Sequence, residues 1–196
     1  MDIQTFAVKL ERPLTEEETD TFLRIMPPER RERLKRVPRE DLRQEPLCAY
    51  AALYMAARAL TGWKVLPVLS YSKYGKPAFR DYPDLQFNIS HTRGAILVGL
   101  HDQPIGVDIE RIRPVSERTM QRIAGAATKQ EFFESWVRRE SRSKWNGAGL
   151  GSLMERESPA MKDERIVYLE TFPNYVACIC THSDAPVSPV RTFIIE

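Results

Sequence analysis

The chain has 196 residues, enough to bury one large core or two small ones, and 42% hydrophobic with 29% charged residues is the mix of a globular protein in water. A formal net charge of +2 gives the whole molecule no bulk pull on polyanions, and no apolar run approaches the roughly 20 residues that cross a bilayer. Three cysteines make no disulfide framework, and Met1-Asp2-Ile3-Gln4 lacks a basic-then-apolar leader, so the cytoplasm is the expected compartment and no membrane partner is expected.

Ile3 to Leu10 alternates, with Phe6, Val8 and Leu10 on one face, and reads as a first strand. Thr15-Glu16-Glu17-Glu18 has the form of a capping box and opens a helix whose apolar side is Phe22, Leu23, Ile25 and Met26. Pro27-Pro28 ends it, and Pro28 opens a short basic helix from Glu29 to about Arg36. Arg24, Arg30, Arg31, Arg33, Lys35, Arg36, Arg39 and Arg43 make this region a local basic patch. Pro46 to Leu60 is the central packing helix of the first half, stopped by Thr61-Gly62. Strands are expected around 65–70, 78–79, 86–90 and 95–100. The turn His101-Asp102-Gln103-Pro104 is the expected boundary between an N-terminal half, 1–103, and a C-terminal half, 104–196.

Pro104-Ile105-Gly106-Val107-Asp108-Ile109-Glu110 opens the second half as a strand, with Ile105, Val107 and Ile109 on one face and both carboxylates on the other. A short helix within 115–128 leads through a weakly structured joint, Ala124–Thr128, to a strong helix from about Lys129 to Asn146, stopped by Gly147 and Gly149. Closing strands are expected at 167–172, 175–181 and 191–195. Cys178, Cys180 and His182 alternate along one of them. Their spacing is not a usual zinc pattern and a fourth ligand is missing, so an ordinary strand face is expected.

Asp108 and Glu110 admit two readings: a wet strand face, or a platform for a hard divalent cation whose shell is completed by phosphates and further ligands. On the long helix, Phe133, Trp136, Val137, Glu140 and Lys144 share a face, with Arg138, Arg139 and Arg142 towards the other sides. Glu140 and Lys144 read either as an i,i+4 pair at the stripe's edge or as a third metal carboxylate with a cation for a bound phosphate. Tyr74-Gly75-Lys76-Pro77 places a lysine on a tight turn, and Asn88-Ile89-Ser90-His91 ends a strand with a hydroxyl and an imidazole. Together these make a plausible polyphosphate site.

Gly75-Lys76-Pro77, Phe87-Asn88-Ile89-Ser90-His91, Gly106-Val107-Asp108-Ile109-Glu110 and Trp136-x-x-Arg139-Glu140-Ser141-x-x-Lys144 stand in the order and approximate spacing of the Sfp-type 4'-phosphopantetheinyl transferases, which the chain resembles over nearly its whole length. Pro28-Glu29-Arg30-Arg31-Glu32-Arg33 is similar to that family's opening basic helix. The resemblance implies an α+β fold of two pseudo-symmetric halves in one chain, acting as a monomer, with the active site in the cleft between them. It implies transfer of phosphopantetheine from coenzyme A to a serine of an acyl or peptidyl carrier protein, with Mg²⁺, releasing adenosine 3',5'-bisphosphate. Carried over, Asp108, Glu110 and Glu140 surround the metal. Arg30 and Arg33 stand at the coenzyme's 3'-phosphate, Lys76, Ser90 and His91 at the nucleotide phosphates, and Lys144 at the pyrophosphate. Glu140 is the expected proton acceptor, with Lys144 and Asp108 beside it in catalysis.

Three departures qualify the transfer of roles. Arg139 replaces a usual lysine, Gln44-Glu45 stands where a basic residue and a hydroxyl are common, and the link from Glu110 to Trp136 is short. Two other readings follow: a coenzyme A-binding member without transferase activity, or an anion- or RNA-binding protein using Arg30–Arg43. The patch is one short helix without interleaved aromatics, so no nucleic-acid partner is expected.

Overall fold

The computed structural model describes residues 1–147 and 162–196. Its elements run β1 (Gln4–Leu10), α1 (Glu16–Ile25), α2 (Pro28–Lys35), α3 (Gln44–Thr61), β2 (Leu69–Tyr71), β3 (Pro77–Phe79), β4 (Gln86–Thr92), β5 (Ala95–His101), β6 (Ile105–Arg111), α4 (Glu117–Ala124), α5 (Lys129–Asn146), β7 (Arg165–Leu169), β8 (Tyr175–Thr181) and β9 (Arg191–Ile195). The fold is α+β, with one sheet in the order β4-β5-β1-β9, a second in the order β6-β8-β7, and β2-β3 as a separate hairpin.

Strand alternation sorts the side chains into layers. Phe6 and Val8 of β1, with Ile96, Val98 and Leu100 of β5, face α3 and pack on Leu47, Leu53 and Ala56. The opposite residues, Ala7, Ala95 and Leu97, meet Ile105, Val107 and Ile109 of β6 and Ala177 and Ile179 of β8, so the two sheets pack face to face. The outer face of the second sheet, through Val176 and Cys178, receives Phe133 and Val137 of α5 and Met120 of α4. The order is helices, sheet, sheet, helices. β9 pairs parallel with β1, so the last strand of the chain belongs to the first sheet.

The helix ends follow local chemistry. Thr15 and Thr128 each form a full capping box, with Glu18 and Glu131 reaching back, and Gly62, Gly125 and Gly147 close α3, α4 and α5 in the left-handed conformation. Pro46 sits in the first turn of α3, where a missing N–H costs nothing, so that helix begins at Gln44. The structure shortens or shifts several expected elements. The strand expected at 65–70 is only Leu69–Tyr71, since Val65 and Val68 are exposed and Pro67 cannot donate to a ladder. The helix within 115–128 is Glu117–Ala124, started by the Ser116 cap. The strand expected at 167–172 is Arg165–Leu169, and the chain turns through Asn174 at positive φ. Arg139 and Arg142, towards the other sides of α5, are also buried, and Arg142 pairs with Glu164 at 2.6 Å beside β7. Gly149, expected to help stop α5, lies outside the described residues.

Candidate active site

Gly106 brings α5 onto β6. A side chain there would run into the Ser141 carbonyl and the Trp145 backbone, so only glycine lets the helix lie this close. That contact sets Glu140 and Lys144 beside the carboxylate of Asp108, which occupies the same face of β6 as Gly106.

The first sheet reaches the same place through β4. Asn88 Oδ1 accepts the Val107 amide at 2.8 Å, Ser90 Oγ donates to Asp108 Oδ1 at 2.7 Å, and Thr92 Oγ1 donates to Glu110 Oε2 at 3.1 Å. These alternate residues of β4 thus stitch the two sheets side chain by side chain. Sequence reading singled out Ser90 with its neighbour His91, whereas strand alternation groups Ser90 with Asn88 and Thr92. His91 points to the opposite side of β4 and is exposed. The period-2 polar stripe Asn88-x-Ser90-x-Thr92 was the signal for this seam.

Asp108 is 2% exposed. Its Oδ1 takes Lys144 Nζ at 2.6 Å as well as Ser90, and Lys144 also donates to Ser90 Oγ at 2.8 Å and lies 3.7 Å from Glu140 Oε2. Asp108 Oδ2 is buried without a hydrogen-bond partner among the described residues. Loss of hydration is the main influence on this carboxyl and outweighs the Lys144 charge, while Glu140 adds repulsion; together they push its pKa up to about 6.

Lys76 lies on the turn between β2 and β3, and its ammonium donates to the Ile105 and Trp145 carbonyls at 3.2 and 3.3 Å. It thereby ties the hairpin to β6 and to the last turn of α5, and burial pulls its pKa down to about 8. A cavity of about 230 Å³ is lined by Tyr74, Lys76 and Asn88 together with Glu140, Ser143 and Lys144 of α5. Lys76, Ser90, Asp108, Glu140 and Lys144 are therefore brought to one place.

Glu110 is held apart from that group. Arg113 donates to its Oε2 at 2.7 Å, and the Arg113 guanidinium rests over the Phe133 ring at 5.0 Å. Among the described residues no three His, Cys, Asp or Glu side chains converge closely enough to hold a metal ion. Arg30 and Arg33 lie on α2, outside the cavity wall, with Arg33 exposed. Glu45 accepts the Gly94 amide at 3.3 Å. Cys178 and Cys180 are fully buried, Cys178 lies 3.1 Å from the Ser141 hydroxyl, and His182 is exposed beyond the end of β8.

Carboxylates and ammonium groups gathered over a cavity beside a two-sheet seam make the class of site that can hold a polyphosphate. The relatives narrow the class. The chain is 28% identical, over an alignment 212 positions long, to 4'-phosphopantetheinyl transferase Sfp of Bacillus subtilis, covering 94% of this chain and 95% of that protein. It is 27% identical to 4'-phosphopantetheinyl transferase ffp of Bacillus subtilis, over 90% of this chain and 84% of that one. It is 28% identical to 4'-phosphopantetheinyl transferase AcpT of Salmonella typhimurium, over 62% and 72% respectively. No family model matches the chain. These and a further relative of the same name, 26–28% identical over most of the chain, support the Sfp-type 4'-phosphopantetheinyl transferase family for it.

Proposed function

We propose that this protein transfers the 4'-phosphopantetheine group of coenzyme A to a serine of an acyl or peptidyl carrier protein, in a Mg²⁺-dependent reaction that releases adenosine 3',5'-bisphosphate. It works in the cytoplasm as a monomer, with no nucleic-acid or membrane partner, and its cleft lies between residues 1–103 and 104–196. The observation that carries the reading is the Asp108 carboxylate, buried against Lys144 and Ser90 with one oxygen unpartnered, beside Glu140 and the Lys76 turn.

That orphaned oxygen, in a set of oxygen donors, fits a hard divalent cation. Asp108 and Glu140 would hold it together with the co-substrate's phosphates, and Glu110 would join them only on leaving Arg113. Bound there, Mg²⁺ supplies positive charge to the pyrophosphate oxygens. The chain's own residues do the rest. Lys76 and Lys144 both line the cavity and bind the phosphates, with Ser90 beside Lys144 and with Arg30 and Arg33 at the 3'-phosphate; His91, on the other side of β4, would reach them only by a change of orientation. Glu140 takes the proton of the carrier serine. The serine oxygen then bonds to the phosphorus that carries pantetheine, and the bridging phosphorus–oxygen bond breaks. Lys144 steadies the negative charge left on the departing bisphosphate. Catalysis of this kind is positioning and charge neutralisation, which suits residues fixed by a helix and a strand in contact.

The test is chromatographic. Coenzyme A, Mg²⁺ and an apo carrier protein should yield adenosine 3',5'-bisphosphate in step with carrier consumed, EDTA should stop the release, and added Mg²⁺ should restore it. Tight coenzyme A binding without bisphosphate release from any of several carriers would make this a coenzyme-binding member without transferase activity.

A further inference from the structure

Arg30 is held before any phosphate arrives. Its guanidinium carbon lies 4.6 Å from the centre of the Tyr71 ring and 5.7 Å from that of Tyr50, and its Nε donates to Tyr71 Oη at 3.0 Å. Tyr71 Oη donates in turn to Glu29 Oε1 at 3.3 Å, which keeps that carboxylate on the phenol. Tyr50 is buried on α3, and Tyr71 is 38% exposed on β2, so three elements converge on one side chain. Aromatic rings hold a guanidinium by its flat face and leave its edge free for in-plane acceptors. Nε is taken by Tyr71, while the two terminal nitrogens of Arg30 make no hydrogen bond to a described residue and are left as donors for an acceptor. Tyr71 also lines the groove beside the Lys76 turn, together with Tyr74 and Trp145. A flexible arginine would otherwise lose rotamer freedom on binding, and a fork fixed in advance avoids that loss.

We infer that Tyr71 is a positioning residue that presents the edge of Arg30 to the 3'-phosphate of coenzyme A, with Tyr50 backing it from α3. The inference rests on the reading that Arg30 takes that phosphate. Calorimetric binding of coenzyme A and of 3'-dephospho-coenzyme A to the full chain tests both. Tyr71→Ala should weaken coenzyme A binding by roughly three- to tenfold, leave the dephospho form unchanged and leave kcat at saturating donor unchanged. Tyr71→Phe, which keeps the ring, should stay within about twofold of the parent protein. Because Tyr71 is partly exposed, thermal melting should show Tyr71→Ala folded. Equal weakening for both ligands would overturn the inference, since a contact to the base or a merely structural role would act on both alike. Discrimination lost in Arg30→Ala but kept in Tyr71→Ala would overturn the inference alone. An Arg30→Ala protein that distinguishes the ligands as well as the parent does would overturn the phosphate assignment and the inference with it.

Discussion

Asp108 is asked to stay charged in a place that resists charge. Its folded pKa, about 6, stands above the ordinary carboxylate value of 3.8. The folded chain therefore holds this proton more tightly than the unfolded chain, and stability declines as pH rises from about 4 through 6. The ceiling on that cost is on the order of 3 kcal/mol, since a tenfold change in proton affinity is worth about 1.4 kcal/mol. Asp108→Asn has no such titration. The stability of the variant minus that of the parent, from urea melts without metal, should rise between pH 4 and 7 and level off above it. The Mg²⁺ site proposed here should flatten that slope in the parent. A difference independent of pH would show that this carboxyl titrates alike in the folded and unfolded chain, so that burial does not raise its pKa. At this scale the sequence showed Asp108, Glu140 and Lys144 as neighbours in chemistry, because strand and helix periodicities put them on identifiable faces. It did not show that Lys144 sits on Asp108 or that Arg113 holds Glu110. Those choices depend on distances between elements, which periodicity does not contain.

The contact between β6 and α5 is the element on which the site depends. Gly106 allows it, the Thr128 capping box starts the helix, and Phe133 and Val137 bury its inner face completely. Gly106→Val should push α5 off the strand. Overpacking of this sort costs about 1–3 kcal/mol, seen as a lower thermal midpoint, and should reduce transfer more than it reduces coenzyme A binding, because Glu140 and Lys144 move with the helix. The C-terminal end of α5 was legible in the sequence because Gly147 carries a local stop, whereas Thr128, placed in a weakly structured joint, proves to be the cap that starts the helix with Glu131. The strand expected at 65–70 was not, because Val65, Leu66 and Val68 are apolar without sharing a buried face. The burial of Arg139 and Arg142, which lie towards the other sides of α5 from the Phe133 stripe, was hidden for the reverse reason. A charged residue reads as solvated until a partner such as Glu164 is brought from a distant segment.

At the scale of the molecule, two sheets meet through Ala7, Ala95 and Leu97 on one side and Ile105, Val107 and Ile109 on the other, and their seam is completed by the polar stripe of β4. The alternation in each strand was readable, while the α+β class came from the family resemblance. Partnership was not. Nothing in Arg191–Ile195 says that it pairs with β1 at the far end of the chain, and such pairing is fixed only when the first sheet has an open edge to offer. The face-to-face packing gives the account its central claim, since it places Lys76 and Ser90 from one sheet's side opposite Asp108, Glu140 and Lys144 from the other. Intact mass of an apo carrier protein, after incubation with coenzyme A and Mg²⁺, tests that claim most directly. The parent protein should add one pantetheinyl mass at the carrier serine. Glu140→Gln should slow the addition about 100-fold or more, as loss of a general base does, while still binding coenzyme A. No mass increase with the parent and several carriers, or near-parental transfer by Glu140→Gln at saturating Mg²⁺, would contradict the account.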